Sequence, residues 1–161
     1  MHIQFLKNSN NFIDKGISFF KKKDFKKAIE CFDKILETDA NNIDALLHKG
    51  LSLKELERYE ESITSFDKVL ERESNNSNAL YNKGLVLGKI GRNEESILCI
   101  DKSIGIKYND SLNLCAEGNE LKKYGRYDEA LSYYTKSLDS NPNNIDALIA
   151  KGIVLDLLGV P

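Results

Sequence analysis

Glycine recurs along this chain at a fixed interval of 34 residues, and this period limits what the chain can fold into. The glycines are Gly16, Gly50, Gly84, Gly118 and Gly152. Self-similarity at such a period is typical of a stacked array of helical units, none of which can bury its hydrophobic face alone. We therefore predict an all-α protein of four full units, residues 9–42, 43–76, 77–110 and 111–144, followed by a half unit, residues 145–161.

Each full unit contains two segments in which apolar residues have helical spacing. In the first segment, bulky residues stand four positions before and three positions after the glycine. Those before it are Phe12, Leu46, Leu80, Leu114 and Leu148, and those after it are Phe19, Leu53, Leu87, Leu121 and Leu155. In the second segment, the apolar positions begin at Ile29, Ile63, Ile97 and Leu131. Each full unit is thus predicted to be a hairpin of two helices.

Short polar sequences separate successive units. They are Asn41-Asn42, Asn75-Asn76, Asn109-Asp110 and Asn143-Asn144. Asn and Asp side chains can cap the free backbone amides at the start of a helix. All four junctions are therefore predicted to be turns.

The repeated glycine has a predicted role in packing. A second small residue follows each glycine by 12 positions, at Ala28, Ser62, Ser96 and Ala130. A glycine inside a helix costs about 1 kcal/mol relative to alanine, and close packing of the two helices would offset that cost. We predict that the two helices of each hairpin approach closely at the glycine.

The composition argues against several classes of function. The chain has 23 basic and 25 acidic residues, so its charge does not favour a nucleic-acid partner. Its three cysteines have no paired short spacing and fit a reducing compartment. The N-terminus lacks an apolar run of signal-peptide length, and Lys151 and Asp156 interrupt the apolar stretch near the C-terminus. We expect a cytoplasmic protein that binds neither nucleic acid nor membrane.

Two sets of residues resemble the tetratricopeptide repeat family, whose pattern is a bulky residue, leucine or glycine, an aromatic, alanine, an aromatic, alanine and proline. They are Leu46-Gly50-Tyr59-Ser62-Phe66 and Leu114-Gly118-Tyr127-Ala130-Tyr134-Pro142. The resemblance covers about residues 9–158 and rests on four tandem copies. The chain departs from the pattern in having no Trp and in its third unit, where Asn93 replaces the aromatic and Gly105 lies in the second helix. Ala40, Ser74 and Tyr108 stand where the fourth unit has Pro142.

The resemblance implies a right-handed superhelix of hairpins without catalytic activity, in which the first helices line a concave groove for a peptide or a partner helix. The candidate groove residues are Ile13, Ile17, Phe20, Leu47, Leu51, Lys54, Tyr81, Leu85, Lys89, Asn119 and Lys122. Two alternatives stay open. The aliphatic residues would be covered by the chain itself or by a second copy, or the lysines would be solvated helix ends. Ile13, Ile17 and Asn82 stand where one subgroup of the family uses mostly cations and amides to bind a C-terminal carboxylate, so we do not expect that mode of binding here.

The sequence offers no motif for catalysis, a cofactor or a metal ion. It has no Gly-rich phosphate loop and no His-Glu-x-x-His sequence. His2, His48 and the cysteines do not have the spacing of a zinc site. We predict that the protein is not an enzyme and uses no cofactor.

The two ends of the chain lie outside the full units. Residues 1–8 form an N-terminal extension that either prolongs the first helix or folds over the first unit. The half unit has only a first helix, so we expect Leu148, Ile149, Leu155 and Leu158 to stay partly bare and to favour self-association. The predicted function is a scaffold that binds a peptide or partner helix in its groove. The alternative is a structural module whose groove and C-terminal end are occupied by its own copies.

Overall fold

The computed structural model describes the backbone of residues 2–160 and the side chains of residues 12–160. Within this part of the chain every regular element is a helix, which confirms the predicted all-α fold. The helices are α1 (His2–Lys21), α2 (Phe25–Leu36), α3 (Ile43–Glu55), α4 (Tyr59–Arg72), α5 (Ser77–Lys89), α6 (Asn93–Lys123), α7 (Tyr127–Ser140) and α8 (Ile145–Leu158). Residues 2–8 of the N-terminal extension are helical, and their side chains lie outside the described residues.

The chain divides into two compact units at the middle of α6. The first unit ends at Ser103 and contains α1 to α5 and the first part of α6. The second unit begins at Ile104 and contains the rest of α6, α7 and α8. In the first unit α1 pairs with α2 and α3 with α4, and in the second unit α7 packs against α8.

The two helices of a hairpin meet at the repeated glycine, as predicted. A β-carbon placed at Gly50 would lie 2.7 Å from Cε1 of Phe66, and one at Gly118 would lie 2.6 Å from Cε1 of Tyr134. The small residue at Ser62 is fully buried, and its hydroxyl donates a hydrogen bond to the Gly50 carbonyl at 2.8 Å. The glycine therefore makes room for the bulky residue 16 positions later, while the small residue approaches the glycine backbone.

Among the described side chains, residues 12–160, three apolar clusters form the core. Two belong to the first unit, one of Ala28, Phe32, Ile35 and Ala45, the other of Leu46, Ile63, Phe66, Val69, Ala79, Val86 and Leu87. The third belongs to the second unit and consists of Cys115, Ala130, Tyr134, Ala147, Ala150 and Val154. The clusters consist of residues from consecutive helices, because each helix presents one apolar stripe that must pack against its neighbours.

Ion pairs mark the starts of the second helices. Glu61 in the first turn of α4 accepts from the Arg58 guanidinium at 2.6 Å, and Arg126 pairs with Glu129 in the same way in α7. The hydrogen bond from Arg58 lowers the pKa of the exposed Glu61 carboxyl. In α2 the charges are exchanged, because Asp24 caps the helix and pairs with Lys27. The first turn of α2 has no acidic residue, whereas α4, α6 and α7 begin with the acidic pairs Glu60-Glu61, Glu94-Glu95 and Asp128-Glu129.

Three of the four predicted turns between units are confirmed. The side chains of Asn42, Asn76 and Asn144 accept hydrogen bonds from the amides of Ala45, Ala79 and Ala147, at 3.1, 2.9 and 3.1 Å. The prediction of a turn at Asn109-Asp110 is wrong. Both residues lie inside α6, which runs without a break from Asn93 to Lys123.

Local sequence explains part of this difference. In the turn before α3, Asp39 accepts a hydrogen bond from the Asn42 side chain, and Glu73 accepts the same bond from Asn76 before α5. The equivalent residue in α6 is Lys107, whose ammonium group cannot accept a hydrogen bond. Tyr108 stands where the last turn has Pro142, so no proline ends the helix here, although the first two junctions turn without one.

Packing explains the rest of the difference between the third junction and the other three. Ala45, Ala79 and Ala147 are fully buried, whereas the equivalent residue in α6 is Asn113, an exposed amide that would be costly to bury. The first two junctions are held by the ion pairs Asp33–Lys49 and Asp67–Lys83. At the third, a turn would bring Asp101 opposite Glu117, two carboxylates that repel each other. Ile97 in α6 is 59% exposed, while its counterpart Ile63 is 8% exposed.

A buried polar network holds the second unit together. Ser111 on α6 and Ser137 on α7 each donate a hydrogen bond to the other's carbonyl, at 2.9 and 2.8 Å. The Asn144 amide before α8 donates to the Ser111 hydroxyl at 2.9 Å. All three side chains are buried, and each has a partner. The network thus fixes the register of three helices with hydrogen bonds where the first two hairpins use the apolar residues Ile35 and Val69.

Candidate functional site

The first helices of the first unit lie side by side. Helix α3 contacts both α1 and α5, and Nζ of Lys54 on α3 donates to Oδ1 of Asn82 on α5 at 2.9 Å. These three helices carry nine of the predicted groove residues, which we call the groove face. They are Ile13, Ile17, Phe20, Leu47, Leu51, Lys54, Tyr81, Leu85 and Lys89.

The aliphatic and aromatic residues of the groove face are most exposed on α5. Ile13 and Ile17 are half-buried against the first core cluster, and Leu47 and Leu51 are half-buried against the second. Tyr81 and Leu85 on α5 are 41% and 37% exposed. The chain itself therefore covers part of the aliphatic row and leaves its α5 end open to solvent.

The other groove-face residues differ in how freely they could contact a ligand. Lys54 is half-buried and donates to Asn82, so a ligand would have to compete for its ammonium group. Lys89 lies in the last turn of α5 and is exposed. Phe20 packs edge-on against Phe25 with 5.3 Å between ring centroids, so it also holds the turn between α1 and α2.

The remaining two predicted groove residues, Asn119 and Lys122, lie in the second unit. They line a cavity of about 360 Å³ between α6 and α8. Its other lining residues are Leu112, Cys115, Ala116, Asp146, Ile149, Ala150 and Ile153. The sequence reasoning missed Leu112, Ala116, Asp146 and Ala150. A signal for Leu112 and Ala116 was present, because both have helical spacing with Asn119 on α6.

Asn119, a polar residue of this cavity, already interacts with other side chains of the protein. Oδ1 of Asn119 accepts a hydrogen bond from the Tyr134 hydroxyl at 2.9 Å, and the Asn119 amide points at Sγ of Cys115. Burial raises the pKa of the Cys115 thiol, so the sulfur stays protonated and unreactive at neutral pH. Lys122 and Asp146 supply opposite charges to the same cavity. The arrangement suits an apolar side chain with polar neighbours better than a reacting group.

Helix α8 carries the residues that we expected to favour self-association. Leu148 is 50% exposed and Ile149 is 58% exposed, whereas Leu46 and Leu80, the counterparts of Leu148, are almost fully buried. Leu158 is also exposed, and Leu155 is half-buried. No second helix follows α8 within the described residues, which leaves this side without the cover that α4 gives α3.

Among residues 2–160, no helix is both long and apolar enough to span a membrane. Among the side chains of residues 12–160, no three of histidine, cysteine, aspartate or glutamate are placed to hold a metal ion together.

The comparison with known proteins agrees with this architecture. Models of the tetratricopeptide repeat match residues 11–42, 43–76, 77–110 and 111–144, whereas no curated protein gives a significant match. Among solved structures, a crystal structure of MamA is 23% identical over 96% of this chain and 84% of that chain, with a TM-score of 0.60.

Two other solved structures are similar. YrrB, described as a TPR protein with an unusual peptide-binding site, is 23% identical over 92% of this chain and 77% of that chain, with a TM-score of 0.56. The second TPR of Spaghetti (RPAP3), bound to the HSP90 peptide SRMEEVD, is 20% identical over 66% of this chain and 99% of that chain, with a TM-score of 0.61. At these identities the similarity establishes the fold, and the four matched segments cover most of the sequence. The chain belongs to the tetratricopeptide repeat family.

Proposed function

We propose that this protein is a non-catalytic interaction scaffold that binds a peptide or an amphipathic helix on the groove face. The observation that carries the proposal is the row of aliphatic and aromatic residues on α1, α3 and α5, whose α5 end is open to solvent at Tyr81 and Leu85. An exposed apolar row with polar neighbours is typical of a binding surface. The peptides described for YrrB and for the second TPR of Spaghetti support the same use of this fold.

The groove face favours a ligand with apolar anchors. Leu51 and Leu85 would contact aliphatic side chains of the ligand, and the exposed Tyr81 would contact it with its ring. Lys89 at the end of α5 would attract an acidic residue of the ligand, mainly by raising the rate of encounter. We propose that the ligand is a protein, that neither nucleic acid nor membrane takes part, and that the protein acts in the cytoplasm. The balanced charge and the unpaired cysteines support this setting.

A peptide-display selection tests the proposal. Peptides selected on the wild-type chain are expected to bind the Leu51→Glu and Leu85→Glu variants roughly thirtyfold more weakly, because loss of a central contact typically costs about 2 kcal/mol. Binding would be measured by fluorescence anisotropy with the selected peptides.

The matched control is Leu98→Glu, which places the same charge on an exposed leucine of α6 outside the groove face. This variant is expected to bind as the wild type does. Equal binding by all three variants, or a selection that enriches no peptide, would refute the groove face as the binding site.

A second candidate function is self-association through α8. It is favoured by Leu148 and Ile149, which are at least half exposed on a helix whose counterparts are covered. Light scattering at high micromolar concentration is then expected to detect a dimer, and Leu155→Glu is expected to disperse it. A strict monomer at that concentration would eliminate this candidate.

A further inference from the structure

The turns that join the two helices of a hairpin differ in charge. The turn between α1 and α2, residues 21–27, carries five lysines and one aspartate, a net charge of +4. The turn between α3 and α4, residues 55–61, carries four glutamates and one arginine, a net charge of −3. The equivalent residues 89–95 and 123–129 each carry two basic and two acidic side chains and are neutral. We call residues 21–27 the basic turn and residues 55–61 the acidic turn.

The basic turn and the acidic turn are neighbours at one edge of the first unit. Helix α2 packs against α1 and against α3 through short connections, so it is antiparallel to both, and α1 and α3 run parallel. Helices α1 and α3 also contact each other, and both end at this edge. Because the axes of packed helices are about 10 Å apart, the edge presents opposite charges at about that spacing.

Most of these charges have no partner within the chain. Each turn contains one short ion pair, Lys27 with Asp24 in the basic turn and Arg58 with Glu61 in the acidic turn. Among the side chains of residues 12–160, no ion pair joins one turn to the other. Six charged side chains of the two turns are exposed and form no ion pair there, and they are Lys21, Lys22, Lys23, Lys26, Glu57 and Glu60.

Each of the two turns holds a charged residue in a strained backbone conformation. Lys23 has a φ of 61° and Glu57 a φ of 58°, in the left-handed region that is unfavourable for residues other than glycine. The equivalent residues of the two neutral turns are Gly91 and Gly125, which adopt this conformation without that cost. The chain therefore has charges of opposite sign at two positions where glycine would suit the backbone better.

We propose that this edge is an interface between two copies of the chain. A twofold axis relates the copies, so that the basic turn of each copy faces the acidic turn of the other, and Lys23 of one faces Glu57 of the other. In a twofold interface the same surface supplies both sides, and every contact occurs twice. This interface is separate from the groove face and from the exposed residues of α8.

The charge pattern favours a second copy over other partners. An acidic peptide, a nucleic acid or an anionic membrane would be attracted by the basic turn and repelled by the acidic turn beside it. The two turns lie within about one Debye length of each other at 0.1 M salt, about 10 Å, so the repulsion would be felt. A matching surface carries both signs at the same spacing and in the reverse order. The same edge of a second copy, rotated by 180°, is such a surface.

Sedimentation equilibrium at two salt concentrations tests the proposal. The measurements use the full chain with Leu148→Glu, which places a charge on an exposed residue of α8 and so opposes the association through α8 considered above. We expect a dimer at about 10 mM NaCl, where the Debye length is about 30 Å, and a monomer at about 1 M NaCl, where it is about 3 Å.

Exchange of the charges locates the interface. Lys23→Glu and Glu57→Lys are each expected to weaken the dimer by about tenfold or more, because each turns an attraction into a repulsion at two symmetric contacts. An equimolar mixture of these two variants is expected to restore a dimer, since opposite charges again face each other. Lys68→Glu is the matched control for net charge, because it makes the same change on an exposed lysine of α4 outside both turns. It is expected to leave the dimer unchanged.

Replacement by glycine separates the interface from the fold. Lys23→Gly and Glu57→Gly each remove one charge and relieve the backbone strain. Each variant is expected to weaken the dimer by about threefold or more, while its Tm stays unchanged or rises. A fall in Tm with an unchanged dimer would instead assign the two residues to the stability of the turns.

Three further outcomes would overturn the proposal. The first is a monomer at low salt. The second is a dimer whose dissociation constant does not change with salt, since charges would then contribute little to it. The third is a mixture of Lys23→Glu and Glu57→Lys that associates no better than either variant alone, since the two residues would then not face each other.

Discussion

Replacing Gly50 by leucine is expected to lower the free energy of unfolding by about 3 kcal/mol or more, because the new side chain would overlap a packed aromatic ring. A β-carbon at this position already lies 2.7 Å from Phe66, whose side chain is fully buried. For a chain of this length, that loss corresponds to a fall in Tm of roughly 6 to 12 °C. Thermal unfolding followed by circular dichroism measures it.

The same substitution at Gly152 is the matched control. It stands at the same position of the repeat, but no atom lies within 4 Å of its β-carbon position. Leucine is a better helix former than glycine by up to about 1 kcal/mol, so Gly152→Leu is expected to leave Tm unchanged or raise it slightly. Equal changes in Tm for the two variants would contradict the close packing of the Phe66 ring on Gly50.

Replacing Tyr108 by proline is expected to lower the free energy of unfolding by about 3 kcal/mol, because proline inside a helix removes a backbone hydrogen bond and clashes with the preceding turn. Tyr108 lies in the middle of α6. Urea unfolding measures the loss. Hydrogen exchange of residues 104–112 measures the local effect, and these amides are expected to exchange slowly in the wild type and rapidly in the variant.

The reciprocal exchange controls for the change of residue type. Pro142 occupies the equivalent position in the turn between α7 and α8 and is exposed. Pro142→Tyr is expected to cost at most about 1 kcal/mol, chiefly through the greater freedom of the unfolded chain. Rapid exchange at residues 104–112 in the wild type would show that α6 is broken there.

The sequence predicts most of the hairpin architecture, because each repeated glycine lies where the two helices of a hairpin pack closely together. Gly50 and Phe66 are 16 residues apart and meet in space, and the same spacing holds for Gly118 and Tyr134. The role of the small residue 12 positions after each glycine was predicted only in part. The sequence predicts that it lies close to the glycine. It does not predict the hydrogen bond from Ser62 to the Gly50 carbonyl, because residue spacing does not reveal the orientation of a hydroxyl group.

The course of α6 was not predicted, because the repeat pattern concealed the residues that decide it. Asn109 and Asp110 resemble the residues that cap helices in the other units. A capping side chain needs free backbone amides at the start of a helix, and there are none at these positions because both residues lie inside α6. Lys107, Asn113 and Glu117 differ from the residues that hold the other junctions. A comparison of equivalent positions across the units, rather than of the glycines alone, would have identified this junction as different.

The groove residues were predicted as one set, and they lie in two units. Leu51 and Leu85 share a face of the first unit, while Asn119 and Lys122 line a cavity of the second. Their role in binding a partner stays a prediction.

Helix α6 belongs to two hairpins at once. Ser96 in its first half donates to the Gly84 carbonyl of α5, and Gly118 in its second half packs under Tyr134 of α7. In an ordinary repeat array, neighbouring units influence each other's stability through side-chain interfaces such as the Asp33–Lys49 pair, which added salt weakens. Here the main chain itself carries that influence, as a continuous ladder of amide-to-carbonyl bonds. Cooperativity between the third and fourth hairpins should therefore be insensitive to ionic strength, and it should be lost when the ladder is cut.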